Sequence, residues 1–174
     1  MPLTKQSAKH AHLLLLVDES SASERMVAYV ADMIARRRNF HLHLLYLMPR
    51  MPARLLETGG AEDPEQEILV DEELHREQDR WISSEKSAAK PKINGLVARM
   101  RHAGVANAAI DIAFSDPFEG PNADRAILSF ATDKQCHTIV VGHDSHSWLR
   151  EITGGHLAEQ LLRHAKGMAI WVVQ

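Results

Sequence analysis

The sequence predicts an α/β fold, a doubly wound, five-stranded parallel sheet with helices on both faces. Three observations carry that expectation. Short unbroken apolar runs, of which HLLLLV (His12 to Val17) is the clearest, have the pattern of strands buried on both sides. They alternate with stretches whose apolar residues recur at helical spacing. The joints between them carry capping residues, glycine and proline, so each element is short and separately bounded. A chain of 174 residues, 45% apolar and 25% charged, is ordinary for one globular domain with a sizeable core.

The first strand runs into Asp18-Glu19-Ser20-Ser21-Ala22-Ser23, a polar turn rich in helix-capping side chains. A helix follows to about Arg38, with Met26, Val27, Val30 and Ile34 on one stripe. Arg36, Arg37 and Arg38 fall where it should end, and cations there complement the helix dipole. His41 to Met48 reads as the second strand. Residues 49 to 64 hold Pro49, Pro52, Gly59, Gly60 and Pro64, an irregular excursion. From Glu65 to Ala88 the chain is acid-rich and helical, with a thin stripe of Ile68, Leu69, Leu74, Trp81 and Ile82, and Pro91 interrupts it. Beyond the break, Ile93, Leu96, Val97 and Met100 define a one-sided helix ending near Gly104.

Ala108 to Phe114 is the third strand, and a loop from Ser115 to Ala123 leads to a helix over Asp124 to Lys134. Thr138 to Val141 is the fourth strand and runs straight into Gly142. A helix from His156 to about Ala165 precedes the last strand, Met168 to Val173. In such a sheet ligands bind beyond the carboxyl ends of the strands, where neighbouring crossovers leave in opposite directions. The loops after strands one and four should open there.

Composition excludes several classes. A net charge of -3 leaves no basic face to collect phosphates, which argues against nucleic acid. The lone Cys136 permits neither an internal disulfide nor a thiolate zinc site, and reads as a small buried hydrophobe. The stretch MPLTKQSAKHAH lacks the apolar core of a secretory signal, and LLLLV is far too short to cross a bilayer, so a cytoplasmic protein with no membrane contact is expected. No Gly-Lys-Ser/Thr phosphate loop and no Gly-x-Ser-x-Gly elbow occur, and Ser20, Ser21 and Ser23 are explained by capping. A receiver domain would want an acidic pair after strand one and a lysine after strand five, and Asp18-Glu19 supplies only half of that. A flavodoxin-like loop would carry glycine where ESSAS has none.

Eleven histidines raise the question of a metal. His143 and His146 share a loop with Asp144, and His10-x-His12 and His41-x-His43 form further pairs. The strand pairs point to one sheet face and the loop pair lacks a thiolate or an assured third ligand. They read as surface or hydrogen-bonded histidines, with no metal site expected.

Taken together, these segments resemble the universal stress protein family over nearly the whole chain. LLLLVDESSASERMVAYVA resembles the family's first strand and its Asp-x-Ser-x-x-Ser turn, here Asp18, Ser20 and Ser23. LHLLYLMP resembles the second strand, and DKQCHTIVVGHDSHSWLREITGGHLAEQLLRHAKGMAIWVV the carboxyl-terminal half. The resemblance implies an adenine nucleotide alpha hydrolase-like fold, strand order 3-2-1-4-5, a homodimer, and in one branch an ATP site. That branch carries Gly-x2-Gly-x9-Gly-Ser/Thr, which falls here on Gly142, Ser145, Gly155 and His156, two of four positions kept. By the same resemblance Asp18 faces the adenine or ribose side, with Leu47 beneath the base, and Val141 and Leu157 beside it.

Glycines in such a loop allow φ > 0 and bring amides to phosphate oxygens, and the next helix adds a positive dipole end. A serine forced to φ > 0 costs about 1–2 kcal/mol, roughly one to one-and-a-half decades of affinity. Two such losses move a micromolar site to between about 0.1 and 1 mM. The leading expectation is therefore a dimer that binds ATP weakly, with or without Mg²⁺, as a stress sensor or regulator. No general base is evident, so turnover beyond slow ATP hydrolysis is not expected. The rival is a dimeric interaction module without a nucleotide site, acting on a protein partner through the insertion at 49 to 90. In both readings the last strand, apolar on both faces, pairs across a two-fold axis.

Overall fold

The computed structural model describes residues 11–37, 39–57, 64–117, 122–143 and 157–174. Five parallel strands, β1 (Ala11–Val17), β2 (Phe40–Tyr46), β3 (Ile110–Phe114), β4 (Thr138–Gly142) and β5 (Ala169–Val173), lie in the order β3-β2-β1-β4-β5. Among the described residues four helices cover them: α1 (Ser21–Ile34), α2 (Pro64–His102), α3 (Ala123–Asp133) and α4 (Leu157–His164).

The period of two along each strand divides the core. Leu13, Leu15 and Val17 of β1, with Leu42, Leu44 and Tyr46 of β2, face α1 and α2. Leu14 and Leu16, with Leu45, Leu47, Ile139 and Val141, face α3 and α4. The central strands β1 and β4 read as continuous apolar runs because both of their faces are covered. The α1 stripe is as expected, with Met26, Val27 and Val30 fully buried and Ile34 nearly so.

Several boundaries differ from expectation, and the second strand ends at Tyr46 short of Met48. Helix α1 stops at Ile34, so the arginines lie past its end, and Arg36 takes a left-handed φ of 63°. Residues Asn107–Ala109 form a 3-10 turn, which delays β3 to Ile110. The largest difference is at Pro91, which sits inside one continuous helix of 39 residues instead of breaking it. Proline removes one i→i−4 bond, here to the Ser87 carbonyl. Pro91 and Ser87 are both exposed, so water can satisfy that carbonyl, while Ala89, Ile93, Leu96, Val97 and Met100 stay buried on the opposite side. Packing of that stripe, with the Lys92–Glu24 ion pair at 2.6 Å joining α2 to α1, outweighs the lost bond. The helix closes on Gly104 at φ +97°, where the amides of Gly104 and Val105 bond the Arg101 and Met100 carbonyls.

At about 1.5 Å per residue α2 is about 58 Å long, whereas the seven residues of β1 span about 23 Å. It runs antiparallel to the strands as the β2–β3 crossover, so its amino-terminal half extends past the carboxyl end of the sheet. Gln78 donates to the Leu55 carbonyl at 2.7 Å there, and Arg54 lies 3.6 Å from Glu77. Ahead of that point Ile68, Leu69 and Val70 are exposed.

Cys136 is buried against the α3–α4 face, and burial pushes its thiol up to about 11. A thiol with an ordinary value of 9.0 is about a tenth ionised at pH 8, whereas one near 11 is about a thousandth ionised. Alkylation of the native protein at pH 8 should therefore run at least about a hundredfold slower than in urea and speed up as pH rises. Equal rates in both states would show that Cys136 is accessible.

Candidate functional site

The two sides of the sheet locate the crevice. The crossover after β1 leaves through α1 onto one face, and the chain after β4 returns through α4 on the other. Adjacent strands β1 and β4 are thus the switch point of a doubly wound sheet, at their carboxyl ends.

Asp18 begins the first wall. It is fully buried, and its Oδ1 accepts from the Ser20 amide at 3.0 Å, from the Ser20 hydroxyl, and from the Ser23 hydroxyl at 2.6 Å. The Asp18 amide in turn donates to Ser23 Oγ at 2.8 Å, and Ser20 Oγ accepts from the Ser23 amide as the α1 N-cap. Asp-x-Ser-x-x-Ser is thus a closed local network that fixes the turn out of β1. Next to it, Tyr46 donates its hydroxyl to Glu19. Burial, then that bond, push the Tyr46 hydroxyl far above its usual range, so it remains a donor.

Gly142 forms the opposite wall. A Cβ there would lie 2.9 Å from both the carbonyl carbon and the oxygen of Ala22, and 3.1 Å from its Cβ. The positive-φ glycines among the described residues are Gly104 and Gly167, so Gly142 is not needed for a left-handed backbone. It is needed because the first turn of α1 presses on the end of β4. The expected reason, φ > 0 for a phosphate loop, is corrected to close approach of two backbones.

Leu47 follows β2, donating its amide to the Val17 carbonyl at 2.9 Å. Its side chain, with Val141 and Leu157, belongs to the α3–α4 core, and all three are buried. The structure therefore brings Asp18, Leu47, Val141, Gly142 and Leu157 around one end of the sheet. Ser145, Gly155 and His156 lie outside the described residues. The chain past β2 is held to the chain past β3, since the Met48 amide donates to Ser115 Oγ at 2.8 Å and the Ser115 amide to the Tyr46 carbonyl at 2.9 Å.

Of the residues expected around an adenine, Leu47, Val141 and Leu157 lie within the α3–α4 core, at 5%, 4% and 6% exposure. Asp18 Oδ1 is already committed to the α1 cap. Sequence reasoning missed the tie between His164 Nδ1 of α4 and the buried Asp124 of α3, at 2.7 Å. Asp124 in a helical first turn gave no sign of burial, because a carboxylate there reads as a solvated dipole partner.

The model of the universal stress protein family matches residues 10–173, and the chain belongs to that family. Solved structures agree in fold. A universal stress protein family member from Burkholderia pseudomallei superposes with a TM-score of 0.58 at 18% identity, covering 96% of this chain and 97% of that one. The universal stress protein of Archaeoglobus fulgidus in complex with dAMP has a TM-score of 0.52 at 16% identity, covering 95% and 98%. A family protein of Arabidopsis thaliana with AMP bound has a TM-score of 0.52 at 13% identity, covering 94% and 90%. No curated protein matches. Among the described residues no helix is long and apolar enough to cross a membrane.

The contact between Gly142 and Ala22 makes a direct prediction. Gly142→Ala should lower unfolding free energy by about 1–3 kcal/mol, the cost of overpacking a filled site. Urea denaturation reads it, and an unchanged midpoint would mean that the α1 turn gives way freely.

Proposed function

We propose that this universal stress protein is a cytoplasmic, single-domain regulator that binds an adenine nucleotide, ATP in the first instance, in the crevice between the ends of β1 and β4. The observation that carries the reading is the divergence of α1 and α4 onto opposite faces next to Gly142 and Val141. Solved family members with dAMP and AMP support the ligand class. In this reading Leu47, Val141 and Leu157 line the base side and Asp18 sets the turn beside it. Amides around Gly142, Ser145, Gly155 and His156 take the phosphates. With glycine and hydroxyl replaced at two of those positions, affinity is weak. No described side chain is placed as a general base, so the nucleotide acts as a signal, with turnover at most slow.

A second reading has its own observation. Ile68, Leu69 and Val70 stand 60%, 65% and 43% exposed on the projecting half of α2, where an isolated helix would favour polar residues. A partner protein bound through the 49–90 insertion is the role this favours. It needs no nucleotide.

Titration calorimetry with ATP and Mg²⁺ should give a dissociation constant between about 0.1 and 1 mM. Restoring the family loop with Ser145→Gly and His156→Ser should tighten it at least about tenfold. Absence of heat and of any thermal shift at millimolar nucleotide, in parent and double variant alike, ends the nucleotide reading and leaves the partner-binding one.

We further propose a homodimer through β5, which pairs with β4 on one side and forms the sheet edge on the other. Its Val172 is 44% exposed. Light scattering at micromolar concentration should give twice the chain mass, and Val172→Glu should give the monomer. A monomeric parent would sink the proposal.

A further inference from the structure

The opposite, amino-terminal end of the sheet holds a cluster of imidazoles with no part in the crevice. β1 and β2 pair so that His12 lies beside His41, and β2 and β3 so that His43 lies beside Asp111. Strand alternation puts His12, His41, His43 and Asp111 on the face that carries Leu14 and Leu45. The three rings gather there, with centroids 5.2 Å apart for His12 and His41, 5.3 Å for His12 and His43, and 4.8 Å for His41 and His43.

His43 is buried, at 4% exposure. Its Nε2 is 3.0 Å from His12 Nδ1. Its other nitrogen, Nδ1, is buried without a hydrogen-bond partner. That atom lies 3.5 Å from Asp111 Oδ2, and His41 Nε2 approaches the same oxygen at 2.9 Å. A tetrahedral ion with metal–nitrogen bonds of about 2.0–2.1 Å keeps its ligands about 3.3 Å apart. Candidate donor atoms of His41, His43 and Asp111 all lie within 4.8 Å of one another. The set is nearly preassembled.

We propose that His41, His43 and Asp111 bind a divalent transition-metal ion of the zinc class, with His12 as the outer partner that orients His43. Two imidazoles and a carboxylate are a donor set for borderline divalent ions, which calcium and magnesium do not favour. When the Nε2–H of His43 donates to His12, Nδ1 carries a lone pair 3.5 Å from the Asp111 carboxylate oxygen, an arrangement repulsive without a cation between them. Ligating histidines characteristically donate their second nitrogen in this way. Among the described residues the ion pairs of Asp111 are with His41 and His43, and none joins it to Lys134 at the end of α3. Asp111 is 59% exposed on its side chain, which leaves the ion a path from solvent and room for water as a further ligand.

The test uses tag-free full-length protein, stripped with chelator and titrated with zinc. About one equivalent per chain should survive desalting, and cobalt substituted for zinc should give the visible bands of a low-symmetry imidazole site. His43→Leu should abolish retention, and Asp111→Asn should weaken it at least about tenfold. Asp111 is exposed, so its substitution decides the matter if His43→Leu fails to fold. A variant with His143→Ala and His146→Ala should still bind. Zinc retained well below one equivalent, affinity unchanged in Asp111→Asn, or loss on removing only the loop histidines would each overturn the proposal.

Discussion

The structure depends on the approach of Ala22 to Gly142. With atoms of one backbone 2.9 Å from where a side chain would begin on the other, α1 can sit on β4 only because that position is bare. This contact fixes how far the first turn of α1 reaches over the strand ends, and so the shape of the crevice. The Asp18, Ser20 and Ser23 network holds the same turn from its other side, spending three donors on a single carboxylate oxygen. One constraint is steric and the other polar. Together they leave α1 no freedom to slide.

Long-range packing explains why α2 ignores its own proline. The helix contributes Ala89, Ile93, Leu96, Val97 and Met100 to the core it shares with α1. A break at Pro91 would withdraw part of that stripe, at about 1.5–3 kcal/mol for each large side chain returned to water. One hydrogen bond on the wet side is worth about 0.5–1.5 kcal/mol. The balance keeps the helix continuous through the proline.

These two effects mark where the sequence was legible. Strands β1 and β4 were readable because burial on both faces writes itself as nearly unbroken Leu, Ile and Val, and β2 through its Leu42, Leu44 and Leu45. The α1 cap was readable from Asp18, Ser20 and Ser23, whose chemistry is local. Pro91 was misread because a local rule met a tertiary gain that spacing does not display. The close packing at Gly142 was not readable, since its neighbour Ala22 is 120 positions away in sequence and meets it only in the fold. The loop pattern at Ser145, Gly155 and His156 is legible as spacing alone, because phosphate affinity resides in backbone angles that residue letters do not specify.

The histidines show the same limit from the other side. His41-x-His43 in sequence is a pair on one face of a strand, ordinary for a half-exposed surface. Only the parallel register with β1 and β3 adds His12 and Asp111 to it, and only the packing of that face buries His43. An imidazole nitrogen left without a partner costs about 1–3 kcal/mol, which a leucine at the same position would avoid. Along that face of β2, His41 and His43 give way to Leu45 and Leu47, so the strand changes from polar donors to apolar wall within four alternating positions. The sheet thereby presents different chemistry at its two ends. Its carboxyl end offers backbone and apolar edges at a crossover gap, and its amino end offers nitrogen and oxygen lone pairs held by the ladder. Because β2 supplies residues to both ends, a change in the β1–β2 register would disturb them together.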